Sequence, residues 1–188
     1  MRTFIALPLP EDSLKVLQGV QAKLRSFGAD VRWISIDSVH LTLRFLGEID
    51  PSLLPGLSEG VKKASAGHKR FLLFLRGLGA FPDLRSPRVI WCGIEGEVER
   101  LGLLQKDIEK ICAAAGFPPE ARPFRPHLTL GRVRGKKNLQ PLVDYIKIGS
   151  EFESRIEVSQ VNIYKSTLTR RGALYDLLET IMLAGQEP

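Results

Sequence analysis

The chain has 188 residues, enough for one sizeable core, and its 44% hydrophobic and 26% charged residues are ordinary for a globular protein. No apolar run approaches the roughly 20 residues of a membrane-spanning helix, so a protein without a membrane is expected. A formal net charge of +6 and a pI of about 9.5 favour polyanionic partners weakly, and the placing of the charges matters more than their sum.

In chain order, Thr3 to Leu9 (TFIALPL) reads as a strand. The opening stretch is too short for a secretory signal core and lacks a cleavage pattern, so a cytoplasmic protein is expected. Pro10-Glu11-Asp12-Ser13 signals a helix start, and Leu14, Leu17, Val20, Leu24 and Phe27 recur at helical spacing before Gly28. VRWI (31–34) is a short strand, and VHLTLRFLG (39–47) reads as another. Pro51 opens a second helix carrying Leu53, Leu54, Leu57, Val61 and Ala64, which Pro55, Gly56 and Gly60 weaken. FLLFLRGLGAF (71–81) and RVIWCGI (88–94) read as two strands joined by a turn. Val98, Leu101, Leu104, Ile108, Ile111 and Ala115 mark a third helix, ended by Gly116. HLTLGRV (127–133) is a strand, LQPLVDYIKI (139–148) a helix, and 152–159 and 161–166 are strands. Residues 173–183 fit either a helix or the second arm of a hairpin turning at Arg171-Gly172.

Strands in pairs with lone helices between them indicate an α+β fold with mostly antiparallel sheets. No linker or low-complexity segment divides 1–188, and a single domain of two related lobes is expected. The two cysteines, Cys92 and Cys112, form no CxxC or CxxH pattern and read as reduced structural residues.

The chemistry lies in a repeated phrase. His-Leu-Thr-Leu occurs at His40 and again at His127, using two of the chain's three histidines. Side chains alternate along a strand, so His40, Thr42 and Arg44 should share one face, with Val39, Leu41, Leu43 and Phe45 on the other. His127 and Thr129 pair in the same way. Two such strands across a groove would set two imidazoles and two hydroxyls around one cavity. An imidazole titrates near neutrality, so one ring can take a proton while the other gives one. Threonine hydroxyls can donate to non-bridging phosphate oxygens, and nearby arginines can offset the charge. Arg122, Arg125, Arg132, Arg134, Lys136 and Lys137 crowd the second motif, Arg32 and Arg44 flank the first, and Lys165, Arg170 and Arg171 form a third basic group. No Asp or Glu occurs within either motif, and the surrounding cations disfavour a divalent metal, so no metal or other cofactor is expected. No glycine-rich nucleotide-binding loop is present. The third histidine, His68, has no comparable context and reads as a loop or strand-edge residue.

Two His-x-Thr-x motifs at this separation resemble the signature of the 2H phosphoesterase superfamily. MRTFIALPLP, VRWISIDSVHLTLRFLGEI, FRPHLTLGR and YKSTLTRRGALYDLL are similar to its RNA 2′,3′-cyclic phosphodiesterase branch, historically called 2′-5′ RNA ligases. The resemblance spans nearly the whole chain. It implies a bilobal α+β fold of two antiparallel sheets with flanking helices around a central cleft, related by a pseudo-two-fold axis, with residues 173–183 as strand. It implies hydrolysis of RNA 2′,3′-cyclic phosphate ends to 2′-phosphomonoesters; separately, a monomer is expected. The RNA could be a tRNA fragment, and a small cyclic nucleotide would present the same group. His40 would be the proton donor, His127 the proton acceptor, and Thr42, Thr129 and Arg132 the phosphate-binding residues. Phe45, Arg44 and Arg125 are candidates for contact with a base or the RNA strand. Strict alternation, however, turns Phe45 and Arg132 away from their histidines unless each strand twists, bulges or ends early, as Gly131 would allow. Reverse 2′-5′ joining by the same histidines and RNA-end binding without turnover are the alternatives. Both histidines being present argues against a dead site.

Overall fold

The computed structural model describes residues 1–169 and 172–185. Arg170 and Arg171, and the turn expected there, lie outside them. Among the described residues, nine strands and four helices follow the expected order: β1 (Arg2–Leu7), α1 (Glu11–Arg25), β2 (Val31–Trp33), β3 (Leu41–Glu48), α2 (Leu54–Ala66), β4 (Phe71–Phe81), β5 (Val89–Gly96), α3 (Val98–Ala114), β6 (His127–Val133), α4 (Leu139–Ile148), β7 (Ser154–Val158), β8 (Gln160–Thr169) and β9 (Gly172–Met182). The tail is strand: β9 pairs antiparallel with β8 along its whole length, so tertiary pairing decides where helical spacing could not. The second helix starts later than Pro51 suggests, because 51–53 form a single 3-10 turn before α2. Among the described residues no helix is long and apolar enough to cross a membrane.

The strands make two antiparallel sheets, a four-stranded one in the order β3-β1-β8-β9 and a five-stranded one in the order β2-β6-β5-β4-β7. Each motif strand pairs with the strand that precedes a helix, β3 with β1 and β6 with β5. The intervening helices do not cover their own sheets. From α1, Ser13 Oγ meets Ser154 Oγ of β7 at 2.9 Å, and Gln21 Nε2 donates to Leu130 O of β6 at 3.1 Å, both in the five-stranded sheet. From α3, Gln105 Nε2 reaches Leu43 O of β3 at 3.5 Å in the four-stranded sheet. Each half of the chain thus lends its helix to the other sheet. α2 joins α3 over the four-stranded sheet, and Gly60 permits this, since a Cβ there would lie 2.4 Å from Ile111 Cγ2. α4 lies on the five-stranded sheet at β4 and meets α1 through Lys23 over the Tyr145 ring.

Fully buried leucines and isoleucines fill both helix-facing layers, Ile5, Leu41 and Ile163 under one sheet and Leu128, Leu130 and Ile90 under the other. Those layers leave the opposite faces of the two sheets free to form a cleft, in which β3 and β6 come into contact. Cys92 and Cys112 are buried free thiols, and burial pushes them up to about 12 and about 11, so both stay protonated. His68 lies just past α2, with Nε2 3.0 Å from Asp107 Oδ2 of α3.

Candidate active site

His127 is the first residue of β6, but His40 stands one residue ahead of β3, after a 3-10 turn at 36–38. The two rings are nevertheless held alike. His40 Nδ1 lies 2.9 Å from Ser38 O, and His127 Nδ1 lies 2.6 Å from Arg125 O. Each ring is bonded to the carbonyl two residues earlier. A carbonyl only accepts, so Nδ1 carries the proton and Nε2 is left for chemistry in the cleft.

Both motif strands carry a β-bulge at the same place. In β3, Thr42 faces Ala6 and Arg44 faces Ile5, which leaves Leu43 extra. In β6, Thr129 faces Trp91 and Gly131 faces Ile90, which leaves Leu130 extra. A bulge inserts one residue and flips the side-chain parity beyond it. Phe45, which strict alternation turns away from His40, therefore lies on its face, directly opposite Phe4, and is 53% exposed. Arg132 turns by the same device onto the face of Thr129 and is exposed.

The same flip removes Arg44 from the cleft. Alternation puts it beside His40 and Thr42 as a candidate RNA contact, yet it is only 4% exposed on the helix side. Its Nε lies 3.1 Å from Glu109 of α3, its Nη1 lies 2.7 Å from Glu120, and its Nη2 donates to Pro118 O. The guanidinium is consumed in tying β3 to the segment that leads to His127. Arg125 is exposed, and its carbonyl anchors His127. Thr42 and Thr129 are each partly exposed on the cleft face.

Around His40 the sheet supplies an aromatic enclosure. Phe4 stacks on the imidazole at 4.5 Å, Tyr175 meets it edge-on at 5.0 Å, and Tyr164 lies at 6.2 Å. Burial there lowers the His40 pKa from 6.5 to about 4, against the raising effect of the Ser38 carbonyl. Beside His127 the five-stranded sheet places Phe81 edge-on at 4.8 Å. Trp91 lies across from Thr129 with its ring over Gly79, where a Cβ would come within 2.2 Å of the indole. Burial raises the Tyr175 pKa, against the charges of Arg2 from β1 and Arg132 from β6. Arg32 is directly opposite Arg132 in the β2–β6 ladder, so two exposed guanidiniums share one patch. Like charges placed so are unfavourable unless an anion sits between them.

Phe4, Tyr164 and Tyr175 carry no signal in the sequence as site residues, because only pairing among three distant strands brings them to His40. Tyr175 lies in the stretch whose periodicity fits both helix and strand.

Comparison with known proteins agrees with this fold. The LigT-like phosphoesterase family model matches residues 7–91 and 93–175, one stretch for each motif. The chain belongs to the LigT-like phosphoesterase family. An RNA 2′,3′-cyclic phosphodiesterase of Aeropyrum pernix is 36% identical over 84% of this chain and 89% of its own. The crystal structure of the Thermus thermophilus protein TT0787 superposes with a TM-score of 0.81 at 29% identity, covering 100% of both chains. Escherichia coli LigT, solved with 3′-AMP, gives 0.80 at 27% identity over 97% of each. As in the sequence, so in this LigT-like fold the two halves repeat one design: a strand, a helix, then a strand that carries Leu-Thr-Leu behind its histidine and bulges at the second leucine.

Proposed function

We propose that the protein hydrolyses RNA 2′,3′-cyclic phosphate ends to 2′-phosphomonoesters, by general acid–base catalysis between His40 and His127 without a metal. The observation that carries this reading is the matched anchoring of the two imidazoles by the carbonyls two residues back, with a threonine beside each. The names of relatives such as the Aeropyrum pernix phosphodiesterase, and the 3′-AMP bound to Escherichia coli LigT, support a nucleotide phosphate as the ligand.

In this scheme neutral His127 accepts a proton from water at Nε2 as the water oxygen attacks phosphorus. The P–O3′ bond breaks, and imidazolium His40 donates its Nε2 proton to the departing 3′ oxygen. The products are a 2′-phosphate and a free 3′-hydroxyl, and the two rings exchange protons with solvent to reset. Thr42 and Thr129 donate to the non-bridging oxygens, and Arg132 offsets the phosphate charge. Phe45 is exposed on the cleft face for contact with a base. The burial that lowers His40 to about 4 means that the anionic phosphate must recharge the ring as it binds.

The direct test offers a short RNA ending in a 2′,3′-cyclic phosphate and identifies the phosphomonoester formed. A 2′-phosphate is expected, with activity retained in chelator. His40→Ala and His127→Ala should each cost about 10²- to 10⁴-fold in rate. Full activity in either variant refutes the scheme. A substrate with sulfur in place of the 3′ bridging oxygen separates the two roles. A thiolate leaves without a proton, so it should rescue His40→Ala and not His127→Ala. Rescue of the other variant reverses the assignment.

A further inference from the structure

We infer that the nucleotides preceding the cyclic end of the RNA lie against an apolar face of the β8–β9 hairpin. This rests on the proposed reaction and extends it to a second surface.

The cross-strand registers align Phe45, Phe4, Tyr164 and Leu177 in one row across all four strands of the sheet. His40 stacks over the middle of the row on Phe4. The two ends are open, Phe45 at 53% and Leu177 at 56% exposure. Alternation along β8 puts Leu168 on the same face as Tyr164, and it is 66% exposed. Tyr175, opposite Ser166, joins this surface directly to His40 at 5.0 Å. The helices α2 and α3 pack against the other face. The short turn at 36–38 that precedes His40 also touches β9, and Leu168 and Leu177 stay exposed.

The carboxylates of β9 are turned away from this face, and Glu48 lies on it, directly opposite Arg2. Of the acidic residues of β9, Asp176 pairs with Lys165 and Glu179 pairs with Lys62 of α2, both on the helix side. Glu48, at the far edge of the sheet, is engaged by the N-terminal ammonium at 3.0 Å. Arg2 shares the cleft side with Phe4 by alternation, and Arg32 and Arg132 lie on the facing sheet. None of these three arginines has a carboxylate partner among the described residues. Exposed apolar surface beside unpaired cations, with no carboxylate of β8 or β9 turned toward it, suits bases on a flexible anionic strand. A mononucleotide filling the Phe45 end would leave the Leu177–Leu168 end unused.

The test measures kcat/KM for a cyclic mononucleotide and for a six-nucleotide single strand with the same cyclic end. The hexamer should be preferred by about tenfold or more. The double variant Leu168→Ser/Leu177→Ser changes no charge, and both residues are exposed, so it should fold. In it the hexamer-to-mononucleotide ratio should fall about tenfold, toward one. Turnover of the mononucleotide with no hexamer preference overturns this inference and leaves the proposed reaction standing. A ratio unmoved by the double variant also overturns it. So does a ratio unmoved while light scattering shows the variant losing a dimer, since the face would then serve a second copy of the chain. Hydrolysis of neither substrate removes both readings.

Discussion

At the scale of single residues, the two histidines share an anchor and differ in surroundings. Phe4, Tyr164 and Tyr175 enclose His40, and desolvation lowers it to about 4. The unfolded chain keeps the ordinary value of 6.5. Below 6.5 the unfolded state therefore takes up a proton that the native state refuses. Stability falls as pH drops from 6.5 to 4, levels off below 4, and gains nothing from this group above 6.5. The loss is on the order of 3 kcal/mol at most. Carboxylates titrate in part of the same window, so a variant isolates the histidine's share. Between about pH 7 and pH 4.5, His40→Gln should lose less melting temperature than the parent, by several degrees. Equal losses would show that the enclosure does not act on the ring. Composition and strand parity are enough to find both histidines and pair each with its threonine. The enclosure is not legible, since its members come from β1, β8 and β9 and meet only through pairing.

At the scale of elements, the paired bulges decide which residues line the cleft. Alternation read forward from His40 puts Arg44 in the site and Phe45 outside it, and the bulge at Leu43 exchanges them. Nothing in HLTLRF marks an extra residue, because a bulge is a property of the ladder and the partner strand β1 lies at the start of the chain. In the second motif Gly131 is a usable hint. It sits next to the bulged Leu130, and a Cβ there would come within 2.6 Å of Val31. Each bulge carbonyl is met by a buried glutamine from the helix of the other half: Leu130 O by Gln21, which also donates to Ile34 O at 2.7 Å, and Leu43 O by Gln105. These glutamines hold the strands in the bulged form that turns Arg132 and Phe45 toward the cleft. Gln21→Met keeps the shape and removes the donor. It should cost about 1–3 kcal/mol in urea unfolding, the usual penalty for an orphaned buried acceptor, here Ile34 O, because Leu130 O keeps the Ile34 N–H at 2.9 Å. KM should rise as Arg132 loses its setting, while Gln21→Glu, which also lacks the donated bond, should behave no better. Unchanged stability in Gln21→Met would mean that the carbonyls do not depend on this brace.

At the scale of the whole molecule, the exchange of helices makes the two lobes dependent on each other. The two motifs are alike, and pattern alone leaves open whether each half closes its own core. It does not: α1 lies on the sheet that holds β6, and α3 lies on the sheet that holds β3. β1 and β8, from opposite ends of the chain, pair inside one sheet, and β2 crosses to pair with β6 in the other. Arg44 adds a charged tie from β3 to Glu109 and Glu120. A chain wired this way should unfold as one cooperative unit, since opening either sheet strips the helix cover from the other. The two tryptophans make this measurable. Trp33 and Trp91 both belong to the five-stranded sheet, so fluorescence reports that sheet alone, whereas far-ultraviolet circular dichroism reports both. The two urea transitions should coincide, and the fragment 1–67 should show no cooperative transition unless 68–188 is added. A fluorescence midpoint separated from the dichroism midpoint, or a fragment 1–67 that folds alone, would mean that each lobe holds itself together and that the exchanged helices only decorate the sheets they cover.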